Sequence, residues 1–557
     1  MADKAGEDLM EIDSRLFSAK GSLDSFHQEI AEFFYPERAS FTQELVLGQE
    51  FASHLTDSYP VQVRRELGDQ IGSMVRPSDR QWFKASASNE RVARDSAAKQ
   101  FLEFMTDVNR AILYSRDSGY RRAANECEHD FSAFGMGWVQ VSYNKRRDNL
   151  LFRTHHPRNM AGCEGHDGRV NHVHRKCDMK AHTMAHLFGE DKLPQPVKNA
   201  LKRKDLTSTF KARHIFIPLE IYEPYRKFPK GAKWADVYVT EDGTILQELP
   251  AFAFDYIVPR WKTVSGHFYA FSPAVVTAIP QARMLQRMMM TIIEAGEKQV
   301  DPPMVATQDA VISPVDLTPN GITYIDSEYD ERLGAALRPI DLGKNVGLGI
   351  DLVNDARNTL TEAFYLNKLA PMASLQGREV TAYQASQMVQ EYIRHALPLF
   401  EPIEDEWTGA TLDLVTEKVM RAGGYGPVDR NGIPVDMPDI LLGQNITYEF
   451  NNSLKEARDR QVINGYQESA AVLQAGMALD PSLASDVDTR TMFRDAFGAV
   501  PGGRADWLVS KEEADAGRQQ MQEQMAAQQQ MQQVGQGAEV ASMVGNAAQQ
   551  IQAAMNG

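Results

Sequence analysis

Apolar positions recur along this chain with two different periods, and the change of period divides it. In the first 60 residues, EIDSRLFSAKGSLDSFHQEIAEFFYPE spaces Leu16, Phe17, Leu23, Phe26, Ile30 and Phe33 as a helix does, and Pro36 ends the run. A second helix is predicted through VQVRRELGDQIGSMV, stopping at Arg76 and Pro77. Residues 91–134 carry two more helical patterns, split at Ser118 and Gly119. The period then shortens to two. GWVQVSY, LLFRTHH, HIFIPLEIY, WADVYV and FAFDYIVPRW read as strands, so residues 138–262 are predicted to be β-rich on a helical frame. Helix returns over 273–299, with Pro280 a kink or a late start. Residues 301–344, rich in Pro, Gly and Asp, read as turns and short strands. Helix resumes over about 345–367, followed by the loop LAPMASLQGREV. A long helical stretch then runs from Thr381 to Arg421. Thr381 and Gln384 form a capping-box pair at its start, Pro398 and Pro402 bend or break it, and Gly423 and Gly424 close it. ILLGQNITYEF reads as one more strand, and Ser453 and Glu456 repeat the capping pattern before a further helix. From about Arg518 the chain is Gln, Met, Ala and Gly, a composition compatible with a lone helix or with disorder. The fold class is α+β, mainly helical.

The 557 residues correspond to two to four domains. With 43% hydrophobic and 24% charged residues the composition is that of a globular protein. No apolar run reaches the length of a membrane span, and the acidic start MADKAGEDLMEID does not read as a targeting signal. Three cysteines give no disulfide framework and suit a reducing compartment. The 59 Lys and Arg against 75 Asp and Glu leave a net charge of −16, which argues against tight general binding of phosphates but not against passing DNA without gripping it.

Catalytic signatures are missing. Gly343 and Lys344 lack the earlier glycine of a phosphate-binding loop, because that position is Arg338. The GLG at 347–349 follows no strand, and there is no G-x-S-x-G or HExxH. One metal-like feature stands out: His155, His156, His166, His172, His174, His182 and His186 cluster with Cys163 and Cys177. His182 and His186 share a helical face, yet the run HTMAH lacks the hydrolytic glutamate. The plainer reading is a polar β-rich surface that uses histidine, and no cofactor or metal is assigned.

Two further features bear on nucleic acid. On the helix 345–367, Leu352, Ala356, Leu360, Ala363 and Leu366 are expected on one apolar arc, with Asp351, Asp355 and Glu362 on a separate narrow stripe and Arg357 elsewhere. Such a stripe is either a solvated face or the lining of a channel that repels phosphate. The loop Ala370–Val380 ends in Gly377, Arg378 and Glu379, where an arginine could touch phosphate or merely join two helices.

The order of elements, with segments such as GDQIGSMVRPSDRQWFKASAS (68–88), DFSAFGMGWVQVSYNK (130–145), the stretch 259–305, LNKLAPMASLQGREVTAYQASQMVQEYIRHALPLFEPIEDEWTGATLDLV (366–415) and 451–481, resembles the portal, or head-to-tail connector, family of short-tailed bacteriophages. The resemblance implies a wing over 1–270, stem helices over 271–300 and 345–369 and a clip over 301–344. It further implies a tunnel loop at 370–380, a return helix and wing strand over 381–450, a crown over 451–510 and a Gln/Met/Ala-rich tail over 511–557. It also implies a non-enzymatic dodecameric ring at one capsid vertex of the virion, assembled in the host cytoplasm and passing double-stranded DNA. Its partners would be terminase, scaffold, major capsid protein and tail adaptors, with no membrane. On that basis Asp351, Asp355 and Glu362 would face the lumen, with Lys368, Arg378 and Glu379 nearby. A tail adaptor or ejection protein, and a metal-dependent phage enzyme built on the histidines, are the alternatives.

Overall fold

In a computed structural model of the protein, the described residues are 2–46, 52–77, 81–93, 95–144, 148–224, 227–300, 302–306, 337–339, 346–369, 403–427, 437–450, 453–480 and 487–498, with a few isolated positions besides. The chain forms two compact units. One comprises Met1–Lys84, Met105–Asp436 and Tyr448–Leu454, the other Ala85–Phe104, Met437–Thr447 and Lys455–Gly557.

The larger unit is built on a five-stranded antiparallel meander. Its strands are β3 (Met160–Glu164), β4 (Val170–Lys180), β5 (Thr209–Pro218), β6 (Trp234–Thr240) and β7 (Ile245–Ala251), in that spatial order. A three-stranded sheet pairs β1 (Val139–Tyr143) with both β2 (Leu150–Thr154) and β8 (Tyr256–Ile257). Helices α4 (Ala181–Phe188) and α5 (Gln195–Lys202) interrupt the meander and bury Met184, Phe188 and Val197 with Leu246 of β7. One face of the meander sets Val173 and Phe216 against Met136, Trp138, Met160 and Tyr256. The other sets Ile215, Ile217, Val237 and Val239 against Leu9 of the long helix α1 (Ala2–Phe34).

The predicted strands at 139–143, 150–154 and 234–240 form, and of 214–222 only 214–218 is strand, the end of a strand that begins at Thr209. FAFDYIVPRW supplies only the two-residue β8, while β3, β4 and β7 carried no strand reading. The apolar face expected of α1 is also displaced. Of its six residues only Ile30 is buried, whereas Asp13, Lys20 and His27, seven apart, are buried along the helix. Hydrogen bonding makes that possible: Lys20 Nζ donates to the carbonyls of Pro157 (2.5 Å) and Arg158 (3.2 Å).

Helix α2 (Tyr59–Val75) stops at Arg76, as expected, and packs on α3 (Tyr120–Phe134). There Arg76 Nε and Nη2 donate to the two oxygens of buried Glu128, both at 2.6 Å, and Trp407 Nε1 donates to Oε1 at 3.3 Å. Removing one member of such a pair leaves a buried charge uncompensated, so Arg76→Met is expected to cost about 3–5 kcal/mol. Arg76→Met with Glu128→Leu should recover most of that loss, both read from urea midpoints; a double variant as unstable as the single would refute this account.

Helix α6 (Ile279–Val300) follows a π-helical segment, Ala274–Ala278, so Pro280 lies where the hydrogen-bond ladder changes period and its missing N–H is tolerated. A second π segment, Glu404–Gly409, leads into α8 (Ala410–Arg421). The end of α8 is closed as expected: Gly423, at φ +73°, donates to Met420 O and Gly424 to Val419 O. Thr381, Gln384, Pro398 and Pro402 lie outside the described residues. Met304–Ala306 and Leu337–Pro339 form a short antiparallel ladder.

In the smaller unit Tyr466 and Phe493 meet edge to face, pairing the helix Ser453–Met477 with the helix Thr489–Gly498. ILLGQNITYEF contains a strand only at Ile446–Phe450.

Candidate nucleic-acid interface

Helix α7 (Val346–Ala363) packs along α6, and a short helical turn, Leu366–Leu369, follows it. Gly349 permits the approach: a Cβ there would sit 3.1 Å from Ile292 Cγ1. The GLG motif therefore lies inside a packed helix rather than in a phosphate-binding turn. The buried stripe of α7 is Val353, Ala356 and Leu360, continued by Phe364 and Leu366. This corrects the expected apolar arc at two positions: Leu352 is 50% exposed and Ala363 only half-buried. Ala356 and Leu360 stay inward, so the stripe is turned by only about 50°, half of one residue's step, which brings Val353 in and leaves Leu352 out.

Asp351, Asp355 and Glu362 are exposed, on the side of α7 opposite the buried stripe. None of the three has a cationic partner among the described residues. Asn354 and Asn358 extend this polar face. Arg357 does point elsewhere: its Nε and Nη2 donate to Asp57 Oδ2 at 3.2 and 2.8 Å. The side chain of Lys368, in the turn after α7, and Arg378 and Glu379 lie outside the described residues. Composition-based reading missed what flanks the carboxylates. Ile350 and Leu352, each 50% exposed, lie on opposite flanks of α7, and α6 exposes Met284, Met290 and Ile293.

The histidines divide into two groups, which corrects the reading of a polar surface. His166, His182 and His186 are exposed, the last two on α4. The others are drawn inward. His172 and His174 alternate on β4 toward α1 and are buried, with Nε2 atoms 2.8 Å apart. His174 Nδ1 lies 2.9 Å from Asp13 Oδ1, and Arg213 Nε donates to Asp13 Oδ2 at 2.9 Å. Ionised Asp13 can only accept, so His174 Nδ1 carries the proton. Its Nε2 then accepts from His172 Nε2–H, and His172 Nδ1 accepts from the Cys163 thiol at 3.3 Å. The chain of donors closes with both imidazoles neutral. Burial and the neighbouring His174 push His172 down to about 3. At Asp13 burial acts upward, but the hydrogen bonds of His174 and Arg213 and the charge of the Arg213 guanidinium outweigh it and hold the carboxyl below its ordinary range.

His155 accepts from Arg175 Nη1 at 2.7 Å, and burial together with that guanidinium depresses it. His156 Nδ1 accepts from Arg158 N–H at 3.0 Å, and burial and Arg38 push it down to about 3. His214, outside the run noted in the sequence, is bridged between Tyr256 OH and Asp236 Oδ1, both at 2.6 Å. Both ring nitrogens of His172 are thus occupied by protein hydrogen bonds. Among the described residues no three His, Cys, Asp or Glu side chains converge as a metal site.

Comparison with known proteins bears on the whole chain. A "Probable portal protein" of Bordetella phage BPP-1 is 22% identical over 540 residues, covering 96% of this chain and 94% of its own. The "Portal protein" of Salmonella phage epsilon15 is 22% identical over 549 residues, covering 95% and 93%. Among solved structures, a chain from the "Neck of empty GTA particle computed with C6 symmetry" aligns over 80% of this chain and 95% of its own, at 10% identity and a TM-score of 0.33. The family described as "Bacteriophage head to tail connecting protein" matches residues 8–502. That span takes in α1, the strand meander, the α6–α7 pair and the paired helices of the smaller unit, and the chain belongs to the bacteriophage head to tail connecting protein family.

Proposed function

We propose that this protein is the portal of a short-tailed bacteriophage: a dodecameric ring at one capsid vertex through which double-stranded DNA enters and leaves the head. The observation that carries the ring is the facing of α7. One side is buried in its own subunit, the two flanks expose Ile350 and Leu352, and the remaining side carries Asp351, Asp355 and Glu362. Apolar flanks on both sides of a helix suit heterologous packing between successive copies, which closes into a ring. The side left over then faces the axis, and each carboxylate becomes a ring of negative charge. Such a lining repels phosphate and supplies no cations to exchange, so DNA slides without being held. Lys368 and Arg378, with Glu379, sit at the constriction in this reading.

The stem is α6 and α7, the clip 301–344, the tunnel loop 370–380, the wing 1–270 with 381–450, and the crown 451–510. Terminase and then tail adaptors dock on the clip side, and scaffold and major capsid protein surround the ring during assembly in the host cytoplasm. The relatives' printed names favour a portal over a tail adaptor, and among the described residues no three His, Cys, Asp or Glu side chains converge as the metal-enzyme alternative needs.

Native mass spectrometry of the purified chain, with negative-stain images, tests the ring. A closed oligomer with a central hole is expected. A chain that stays monomeric even with scaffold present and at high concentration would overturn the proposal.

A further inference from the structure

The segment before α2 grips both helices of the proposed stem at once. Gln286 is the polar member of the buried face of α6, beside Ile279, Ala282 and Leu285. Its Oε1 accepts from Thr56 N–H (2.8 Å), Thr56 Oγ1–H (2.8 Å) and Asp57 N–H (2.9 Å), and its Nε2 donates to Asp57 O (2.7 Å). The buried Asp57 carboxylate divides its work between its two oxygens. Oδ1 accepts from Tyr59 N–H at 2.8 Å, capping the start of α2, and Oδ2 accepts from Arg357 of α7. The Tyr59 hydroxyl then meets Thr361 Oγ1, one turn further along α7, at 2.7 Å.

Apolar packing is non-directional: the Val353–Ala356–Leu360 stripe, sliding by a turn, would still bury comparable surface. Hydrogen bonds with fixed angles do not tolerate that slide, and buried polar groups are best attested where they fix register. We infer that Asp57, Gln286 and Arg357 are positioning residues, a brace that sets the axial register of α6 against α7 and so the heights of the Asp351, Asp355 and Glu362 rings. The inference rests on the channel reading for its consequence, but not for its geometry.

The Asp57–Arg357 arm can be cut from either side in the full-length ring. Asp57→Asn keeps the oxygen that caps Tyr59 and turns the other position into a donor facing Arg357. Arg357→Met removes the same contact from the other side, at a half-buried position. Hydrogen exchange is expected to quicken about tenfold at the amides of 346–363 in either variant, with no change in α2 and no further change when the two are combined. Arg357→Lys should recover most of the protection, which loss of packing alone would not predict. Should Asp57→Asn not assemble, the two Arg357 variants carry the same comparison. Unchanged exchange over 346–363, or effects of the two substitutions that simply add, would overturn the brace. Quickened exchange with normal DNA filling of heads would leave the brace standing and overturn the channel reading instead.

Discussion

Replacing Asp351, Asp355 and Glu362 together by lysine is expected to leave the ring assembled and to cut DNA filling of heads tenfold or more, an effect of roughly the size a few phosphate contacts have on affinity. All three side chains are exposed and unpaired with cations among the described residues, so folding loses no ion pair by their removal. In the proposed ring each copy would contribute three carboxylates to the lumen, and reversing them would turn a repelling lining into one that exchanges cations with phosphate. Every such contact adds to binding and slows translocation. Two companion results identify electrostatics as the cause. Asn and Gln at the same positions should fall between the parent and the lysine variant, and added salt should relieve the lysine variant more than the parent. Native mass spectrometry separates an assembly defect from a transport defect. Normal filling by an intact triple-lysine ring would remove the lumen assignment.

The helices behind this prediction were legible because each has a single dry side and a marked end. Helix α2 stops before Pro77, α8 closes on Gly423 and Gly424, and α7 keeps Ala356 and Leu360 inward at helical spacing. The rotation of its buried stripe was not legible, since Leu352 and Val353 are equally apolar and only the partner helix decides between them. Strand β4 was hidden for a different reason. Its run VNHVHRKCDMK reads as polar, yet it lies second in the meander with both edges paired and buries His172, Val173 and His174 together. Neutral, fully hydrogen-bonded histidines take the place of the valines that a period-two pattern looks for. Helix α1 misled in the same way, because Asp13 and Lys20 enter the interior on hydrogen bonds whose acceptors and donors lie some 140–200 residues away. The candidate carboxylates were legible as a stripe, while the apolar flanks that give the stripe a direction needed the burial of each neighbour.

Those neutral histidines set a second large effect, a loss of stability in mild acid. Burial pushes His27, packed between Phe41 and Phe134, down to about 3, as it does His156 and His172. In the unfolded chain each titrates near its ordinary value of about 6.5. Between pH of about 6.5 and 3 the unfolded state therefore binds protons that the folded state refuses, and stability falls as pH falls. Asp13, held below the usual carboxylate range, acts in the same direction at the acid end of that window. At pH 5 each of the three histidines contributes up to about 2 kcal/mol of lost stability, a large share of what a domain has to lose. The first element to yield should be the N-terminal part of α1. A proton added to the His172–His174 pair places a charge in the buried chain that ties Asp13 to the meander. Urea midpoints at pH 7, 6 and 5 measure the slope. His172→Gln, which cannot take up the proton, should flatten it, whereas His182→Gln and His186→Gln, on the exposed side of α4, should not. A midpoint that does not move between pH 7 and 5 would mean that these imidazoles already carry protons in the fold, and the neutral hydrogen-bond chain from Cys163 to Asp13 would have to be abandoned.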